Sequence, residues 1–116
     1  IDIDAVRFSY GEGTRSILNG ISFQIRKGTR LGIVGKTGSG KSTLLDIVMG
    51  LLAPTGGAVR VDGVEIDFRQ PGGWHKLVAH VPQTIFIADA SIGENIALGV
   101  DRKLIDVERV RRCAEQ

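Results

Sequence analysis

The sequence contains a single cysteine and no long apolar run, and both shortages exclude whole classes of protein. Cys113 is the only cysteine among 116 residues, so neither an internal disulfide nor a cysteine cluster can form. No apolar segment approaches the roughly 18–20 residues that a bilayer span needs, and the first residues lack a signal-peptide pattern. We therefore expect these residues to be soluble and to face the cytosol, with any membrane anchor on another segment or chain.

An excess of charge of one sign is also missing. Fifteen lysines and arginines against 13 acidic residues leave a formal net charge of +2, and no run of five like charges occurs. This balance does not predict nucleic-acid binding. Apolar residues make up 42% of the chain, which is enough for a packed core, and the length suits one domain or a piece of one.

Glycine, in contrast, is abundant, at 16 of 116 residues. Between the glycines, alternating apolar residues predict strands over the first third of the chain, with a bend or bulge near Ala5 where the alternation changes phase. The pair Asp62-Gly63 predicts a hairpin turn. The continuous apolar run at 31–34 predicts a strand that is buried on both faces, and residues 77–81 predict another buried strand.

Apolar residues at helical spacing predict three helices. The first begins near Lys41 and ends at Gly50, and a short one covers Ile92–Leu98. The third has Leu104 on its apolar face and continues to Gln116 without a stop signal. A chain that ends inside a helix is expected to be part of a longer one.

The most specific motif follows the apolar run at 31–34. Residues 35–42 match the pattern G-x-x-x-x-G-K-S/T, which is typical of loops that bind nucleotide phosphates. Glycines let the backbone approach a ligand, its N–H groups form a nest for phosphate oxygens, and the helix N-terminus adds positive charge. Lys41 can reach the outer phosphates, and Ser42 can offer its hydroxyl to Mg²⁺. The residues predicted to contact nucleotide here are Gly35, Lys36, Thr37, Gly38, Ser39, Gly40, Lys41, Ser42 and Thr43.

Two further stretches resemble the nucleotide-binding domain of ABC transporters. Residues 6–10 are similar to the aromatic A-loop of that family, which implies that Tyr10 stacks on adenine and that Ile17 lies beside the nucleoside. A stacking role alone makes Tyr10→Phe nearly neutral for purine binding. Residues 81–83 look like the Q-loop, which implies that Gln83 meets Mg²⁺ and the attacking water and links the site to the membrane domain.

The resemblance implies an α/β fold with a sheet core of the P-loop NTPase type and an antiparallel β subdomain. Residues 1–116 are then part of one nucleotide-binding domain. Its expected parts are an antiparallel β region at 1–30 and 57–70, a strand, phosphate loop and helix at 31–52, a Q-loop region at 77–99, and the start of the helical subdomain at 103–116.

The segment Ser91–Ile96 is similar to exporter-type members of the family, which usually carry the transmembrane domain upstream on the same polypeptide. The resemblance implies a transport motor that binds ATP and Mg²⁺ at the cytoplasmic face of the membrane. Its expected partners are that transmembrane domain and a second nucleotide-binding domain, and not nucleic acid. Neither the Leu-Ser-Gly-Gly signature nor a strand ending in Asp-Glu occurs in the sequence. We therefore expect an ATPase in the intact parent, with Lys41 and Gln83 as catalytic residues, and little hydrolysis by this chain alone.

Three alternatives remain open at this point, because unrelated enzymes share the phosphate loop. One is another P-loop enzyme, such as a small-molecule kinase, although no substrate lid is evident between Gly50 and Gly99. Another is a soluble ABC ATPase that acts on nucleic acid. The third is a structural domain whose loop stays empty.

Overall fold

The computed structural model describes residues 1–11, 13–70 and 73–115, which fall into two compact units, Ile1–Ala79 and His80–Gln116. The first unit contains strands β1 (Asp2–Phe8), β2 (Leu18–Gln24), β3 (Gly56–Val61) and β4 (Val64–Glu65), helix α1 (Lys41–Val48) and a 3-10 turn at His75–Leu77. The second contains helices α2 (Ile92–Ile96) and α3 (Val107–Ala114), with a 3-10 turn at Arg102–Leu104 between them.

The four strands form one antiparallel sheet in the order β2-β1-β3-β4. The predicted irregularity in β1 is confirmed, because Ala5 has a φ of 46° and the pairing with β2 shifts register between Ile3 and Val6. Gly57 of β3 faces this bulge with a φ of 80°. A Cβ there would overlap the carbonyl oxygen of Ala5, so the close approach of β1 and β3 requires glycine.

Helix α1 packs on this sheet and completes the hydrophobic core. The buried apolar side chains are Ile3, Val6, Phe8, Leu18, Leu44, Ile47 and Val59. Of these, Leu44 and Ile47 come from α1 and lie one helical turn apart, as an amphipathic helix requires. The core therefore holds the beginning of α1 close to β1 and β2.

Glycine-based turn predictions agree with the structure. Asp62 and Gly63, between β3 and β4, have φ values of 49° and 82°, as a two-residue hairpin with both central residues left-handed requires. Gly50 has a φ of 81°, and its N–H donates to the carbonyl oxygen of Ile47 at 3.0 Å. This glycine closes the last turn of α1, in line with its predicted role.

The two buried strands predicted at 31–34 and 77–81 are absent from the described residues. Residues 31–34 and 78–81 have no regular secondary structure, and Val34 and Val81 are 93% and 86% exposed. A strand is stable only when neighbouring strands satisfy its N–H and C=O groups, and neither run pairs with the four-stranded sheet. The expected P-loop sheet core is therefore not formed by the described residues, whose only sheet is antiparallel.

The predicted third helix is shorter than its apolar pattern indicated. Asp106 caps its N-terminus, where its carboxylate accepts a hydrogen bond from the Arg109 N–H at 3.0 Å. This cap starts α3 at Val107 and leaves Leu104 in the preceding 3-10 turn. The helix ends at Ala114 with Glu115 as its C-cap, so it stops before the predicted end, and Gln116 itself lies outside the described residues.

Candidate functional site

The glycine-rich loop at 35–40 forms a tight turn that leads directly into α1. The Ser39 N–H donates to the carbonyl oxygen of Lys36 at 3.2 Å, while Gly38 and Gly40 adopt φ values of 78° and 87°. At Gly35 a Cβ would lie 2.6 Å from Ser39 Oγ. The positions of Gly38 and Gly40 therefore favour glycine because of their left-handed backbone, and at Gly35 a side chain would displace that of Ser39.

In the part of the chain that the structure describes, no side chain caps the N-terminus of α1. Gly40 provides no side-chain cap, and the first turn holds no acidic residue. Its first N–H groups and the positive end of the helix dipole are then available to an anion. Such an end, preceded by a glycine turn, is the usual protein site for phosphate.

Lys41 folds its side chain back over the loop. Its Nζ donates to the carbonyl oxygens of Gly35 at 2.8 Å and of Lys36 at 2.9 Å. An ammonium group has three N–H donors, and these two bonds hold its charge against the loop. The charge needed for an outer phosphate is thus positioned before any ligand binds.

The connection between β1 and β2 supplies the opposite wall of the site. The Ile17 N–H donates to the carbonyl oxygen of Phe8 at 2.8 Å, which closes this connection at its base. A Cβ at Gly40 would lie 3.0 Å from Ile17 Cγ2, so the loop passes tightly over the Ile17 side chain. The predicted apolar contact at Ile17 is therefore next to the phosphate loop.

Tyr10 lies on the same connection and is held at two points. Its ring packs edge-to-face on Phe8, with 4.9 Å between centroids and 89° between planes. Its hydroxyl is 3.2 Å from Thr43 Oγ1 in α1. The side chain is nevertheless 67% exposed, so much of the ring remains accessible to a ligand.

These walls enclose a groove of about 260 Å³ in the first unit. Its lining residues are Tyr10, Ile17, Gly38, Gly40, Lys41, Ser42 and Thr43, all of them predicted from the sequence. The remaining predicted loop residues, Gly35, Lys36, Thr37 and Ser39, are exposed and shape the turn itself. The groove has an aromatic ring at one wall and a phosphate-type loop at the other, a suitable arrangement for a nucleotide.

One residue of the groove, Ser42, has a side chain that suits a magnesium ion. Ser42 is exposed at the start of α1, and hydroxyl and amide oxygens are hard donors of the kind that Mg²⁺ accepts alongside phosphate oxygens and water. Gln83, the other predicted ligand, belongs to the second unit and is exposed in the segment before α2. Its contact with Mg²⁺ stays a prediction.

The segment Ser91–Ile96 forms a capped helix, a role that sequence reasoning missed. Ser91 Oγ accepts from the Glu94 N–H at 3.3 Å, and the Glu94 carboxylate accepts from the Ser91 N–H at 3.0 Å. Hydrogen bonds from the Ser91 side chain and backbone, followed by the charge of Arg102 at 3.4 Å, lower the pKa of Glu94. The signal was available in the sequence, since Ser-x-x-Glu is the pattern of a capping box.

Asn95 completes this small structure. Its side-chain oxygen accepts from the Ala88 N–H at 2.8 Å, and its amide nitrogen, which carries two N–H donors, lies 3.1–3.2 Å from the carbonyl oxygens of Ala88, Ala90 and Ser91. One side chain thereby links the start of α2 to the backbone of the preceding loop through both its acceptor and its donors. The exporter-like residues of this segment have a structural explanation within their own unit.

Comparison with known proteins supplies the family. The model of the family described as "ABC transporter" matches residues 18–116. The chain is 38% identical over 99 residues to the mycobactin import ATP-binding/permease protein IrtB of Mycolicibacterium thermoresistibile, covering 85% of this chain and 17% of that protein. It is 36% identical over 111 residues to the ATP-dependent lipid A-core flippase of Cupriavidus metallidurans, covering 95% and 19%.

A solved structure agrees with these relatives. The chain superposes with a TM-score of 0.77, at 35% sequence identity, on a bacterial Atm1-family ABC exporter with ATP bound, covering 87% of this chain and 18% of that one. The chain thus spans about a fifth of the length of the proteins it matches. Among the residues that the structure describes, no helix is long and apolar enough to cross a bilayer.

Proposed function

The chain belongs to the ABC transporter family, and on that premise we propose that it is the ATP-binding motor module of an exporter-type transporter. The observation that carries this proposal is the groove that joins Tyr10 and Ile17 to the phosphate loop and the start of α1. A ring, an apolar side chain and a phosphate nest in one groove match the three parts of a nucleotide. A structural domain with an empty loop has no need of this combination.

In the proposed complex each wall of the groove holds a different part of ATP. The ring of Tyr10 stacks on the adenine, since an exposed flat aromatic side chain suits a purine face. The loop N–H groups and the Lys41 ammonium hold the phosphates. Ser42 and Gln83 provide oxygens for Mg²⁺, which neutralises phosphate charge and orients the outer phosphates when bound.

The proposed partners are a transmembrane domain and a second nucleotide-binding domain. One of the matched relatives, IrtB, is named an ATP-binding/permease protein, which supports a membrane domain on the same polypeptide and a place at the cytoplasmic membrane face. One relative is named for import and another as a flippase. We propose that the membrane domain, rather than this module, determines the cargo and the direction of transport.

We further propose that this chain binds ATP and contributes to hydrolysis without completing it. Lys41 and Gln83 are the proposed catalytic groups: in this proposal Lys41 contacts the outer phosphate, and Gln83 contacts Mg²⁺ and the attacking water. The sequence holds no strand ending in Asp-Glu to supply a general base, and such a base typically contributes about 10²–10⁴-fold in rate. The 116 residues alone should turn ATP over near the background rate.

A phosphate-release assay tests whether the chain alone hydrolyses ATP or whether hydrolysis needs the full-length parent. The purified chain with Mg-ATP should release phosphate no faster than a buffer blank, while the full-length parent should hydrolyse ATP. In the parent, Gln83→Ala should lower kcat by more than it weakens nucleotide binding, since its proposed contacts are to water and metal. Robust Mg²⁺-dependent turnover by the chain alone would show that a base lies within these residues.

A further inference from the structure

The hydrogen bond between Tyr10 and Thr43 is not explained by the proposed function. Stacking on adenine uses the face of the Tyr10 ring and has no need of its hydroxyl. Yet that hydroxyl lies 3.2 Å from Thr43 Oγ1. Thr43 is the one buried polar residue among those described, with 6% of its surface exposed.

Resting on that function, we propose that the Tyr10 and Thr43 hydroxyls form a relay that joins the base wall of the groove to its phosphate wall. Thr43 is in this account a positioning residue for Tyr10 as well as a phosphate contact. The relay fixes the distance between the ring and the phosphate loop, and so contributes to purine nucleotide affinity through the phosphates.

The chemistry of the phosphate determines which of the two hydroxyls donates the hydrogen bond when ATP is bound. In the free protein either hydroxyl can be the donor. Phosphate oxygens at neutral pH offer only lone pairs, so a bond between them and Thr43 needs the Thr43 proton. The Thr43 oxygen must then accept from Tyr10, and a chain of aligned hydrogen bonds strengthens its members.

The position of each hydroxyl supports a fixed relay rather than a chance contact. Thr43 is buried on α1, between the phosphate loop and the core residue Leu44, so its oxygen has little freedom to move. The Tyr10 ring is additionally braced edge-to-face by the buried Phe8. An exposed aromatic side chain that is already ordered loses less entropy when a ligand binds.

Two accounts of Tyr10 now give different expectations. If the ring acts by stacking alone, Tyr10→Phe retains full ATP affinity. If the relay operates, Tyr10→Phe weakens ATP binding about 3- to 10-fold, the range of one hydrogen bond. The single tyrosine of the chain makes the substitution unambiguous.

A double-mutant cycle measured by calorimetric titration of Mg-ATP into this chain provides the test. Thr43→Val keeps shape and burial while removing the hydroxyl. We expect it to weaken binding by 10-fold or more, and Tyr10→Phe to add less than about 2-fold in that background, because the two hydroxyls act together. In a Thr43→Ser background, which restores the hydroxyl, Tyr10→Phe should again cost about 3- to 10-fold.

Thr55→Val serves as the matched control, since Thr55 is exposed and lies outside the groove. It should bind as the wild type does. The relay would be overturned if the losses of ATP affinity caused by Tyr10→Phe and Thr43→Val multiply in the double variant. It would also be overturned if Tyr10→Phe binds ATP with wild-type affinity. Either result would leave ATP binding intact if Lys41→Ala still weakens it, whereas equal affinity of wild type and Lys41→Ala would overturn both proposals.

Nuclear magnetic resonance of the ligand-free chain tests the contact independently of nucleotide. Ring-labelled tyrosine gives signals from Tyr10 alone, because it is the only tyrosine. Thr43→Val should shift those signals and Thr55→Val should not. Unchanged Tyr10 signals in Thr43→Val would show that the hydroxyl contact is absent and would overturn the relay whatever the affinity for ATP.

Discussion

The two compact units of the chain hold their functional segments by different means. In residues 1–79 a hydrophobic core between the sheet and α1 lies directly beneath the proposed ATP groove. In residues 80–115 no described residue is buried, and the exporter-like segment is shaped by a capping box and the side chain of Asn95. Packing determines the geometry of the first region, and local hydrogen bonds determine that of the second.

This contrast indicates which substitutions each region tolerates. Buried apolar contacts are cooperative, so one cavity in the first unit affects the whole site above it. Capping bonds act within one turn of helix, so their loss in the second unit stays local. The difference also suits the proposed roles, since a nucleotide groove needs fixed walls.

A cavity in the core of the first unit is expected to have the largest effect on the free energy of unfolding. Ile47 is fully buried in α1, and Ile47→Ala should lower the free energy of unfolding by about 2–5 kcal/mol. The matched change in the second unit is Ile85→Ala, whose side chain is 70% exposed, and which should cost less than about 0.5 kcal/mol. Urea unfolding of both variants gives the comparison, and equal losses would contradict it.

A smaller and more local effect on stability is expected when the cap of α2 is removed. Ser91→Ala removes the hydrogen bonds of the Ser91 hydroxyl to the Glu94 N–H and to the Glu94 carboxylate, while the bond from the Ser91 N–H remains. The change should cost roughly 1 kcal/mol of local helix stability, with no change in the groove. Hydrogen exchange of the amides of α2 should increase while those of α1 stay unchanged. Faster exchange in both helices would show that the cap is coupled to the core.

The capping box should also respond to pH. Hydrogen bonds from Ser91 hold the pKa of Glu94 below its ordinary value in the folded chain. Its contribution to α2 is therefore fully present above the ordinary carboxyl pKa and is lost as the pH falls through the lowered one. Titration of the Glu94 carboxyl by nuclear magnetic resonance should give a lower midpoint in the wild type than in Ser91→Ala, and equal midpoints would contradict the cap.

Local signals in the sequence predicted the structure well, whereas signals that depend on distant partners did not. The Asp62-Gly63 turn and the bulge at Ala5 follow from backbone chemistry within a few residues. The runs 31–34 and 77–81 have the composition of buried strands, but strand formation needs neighbours that composition does not specify.

The same distinction applies to the candidate site. Its phosphate loop was predictable because consecutive residues form it. The hydrogen bond between Tyr10 and Thr43 joins residues far apart in sequence, and no local pattern could have indicated it. Burial of Thr43 depends on how α1 packs on the sheet, which is a property of the fold.

The central claim is that the loop at 35–42 binds the phosphates of ATP, and calorimetric titration of Mg-ATP tests it most directly. Lys41→Ala removes the ammonium that bonds to the carbonyl oxygens of Gly35 and Lys36. It should weaken binding by about 1.5–3 kcal/mol, the value of hydrogen bonds to charged groups, while far-UV circular dichroism stays unchanged. Lys27→Ala, an exposed lysine in the same unit, should bind as the wild type does. Equal affinity of wild type and Lys41→Ala would contradict the claim.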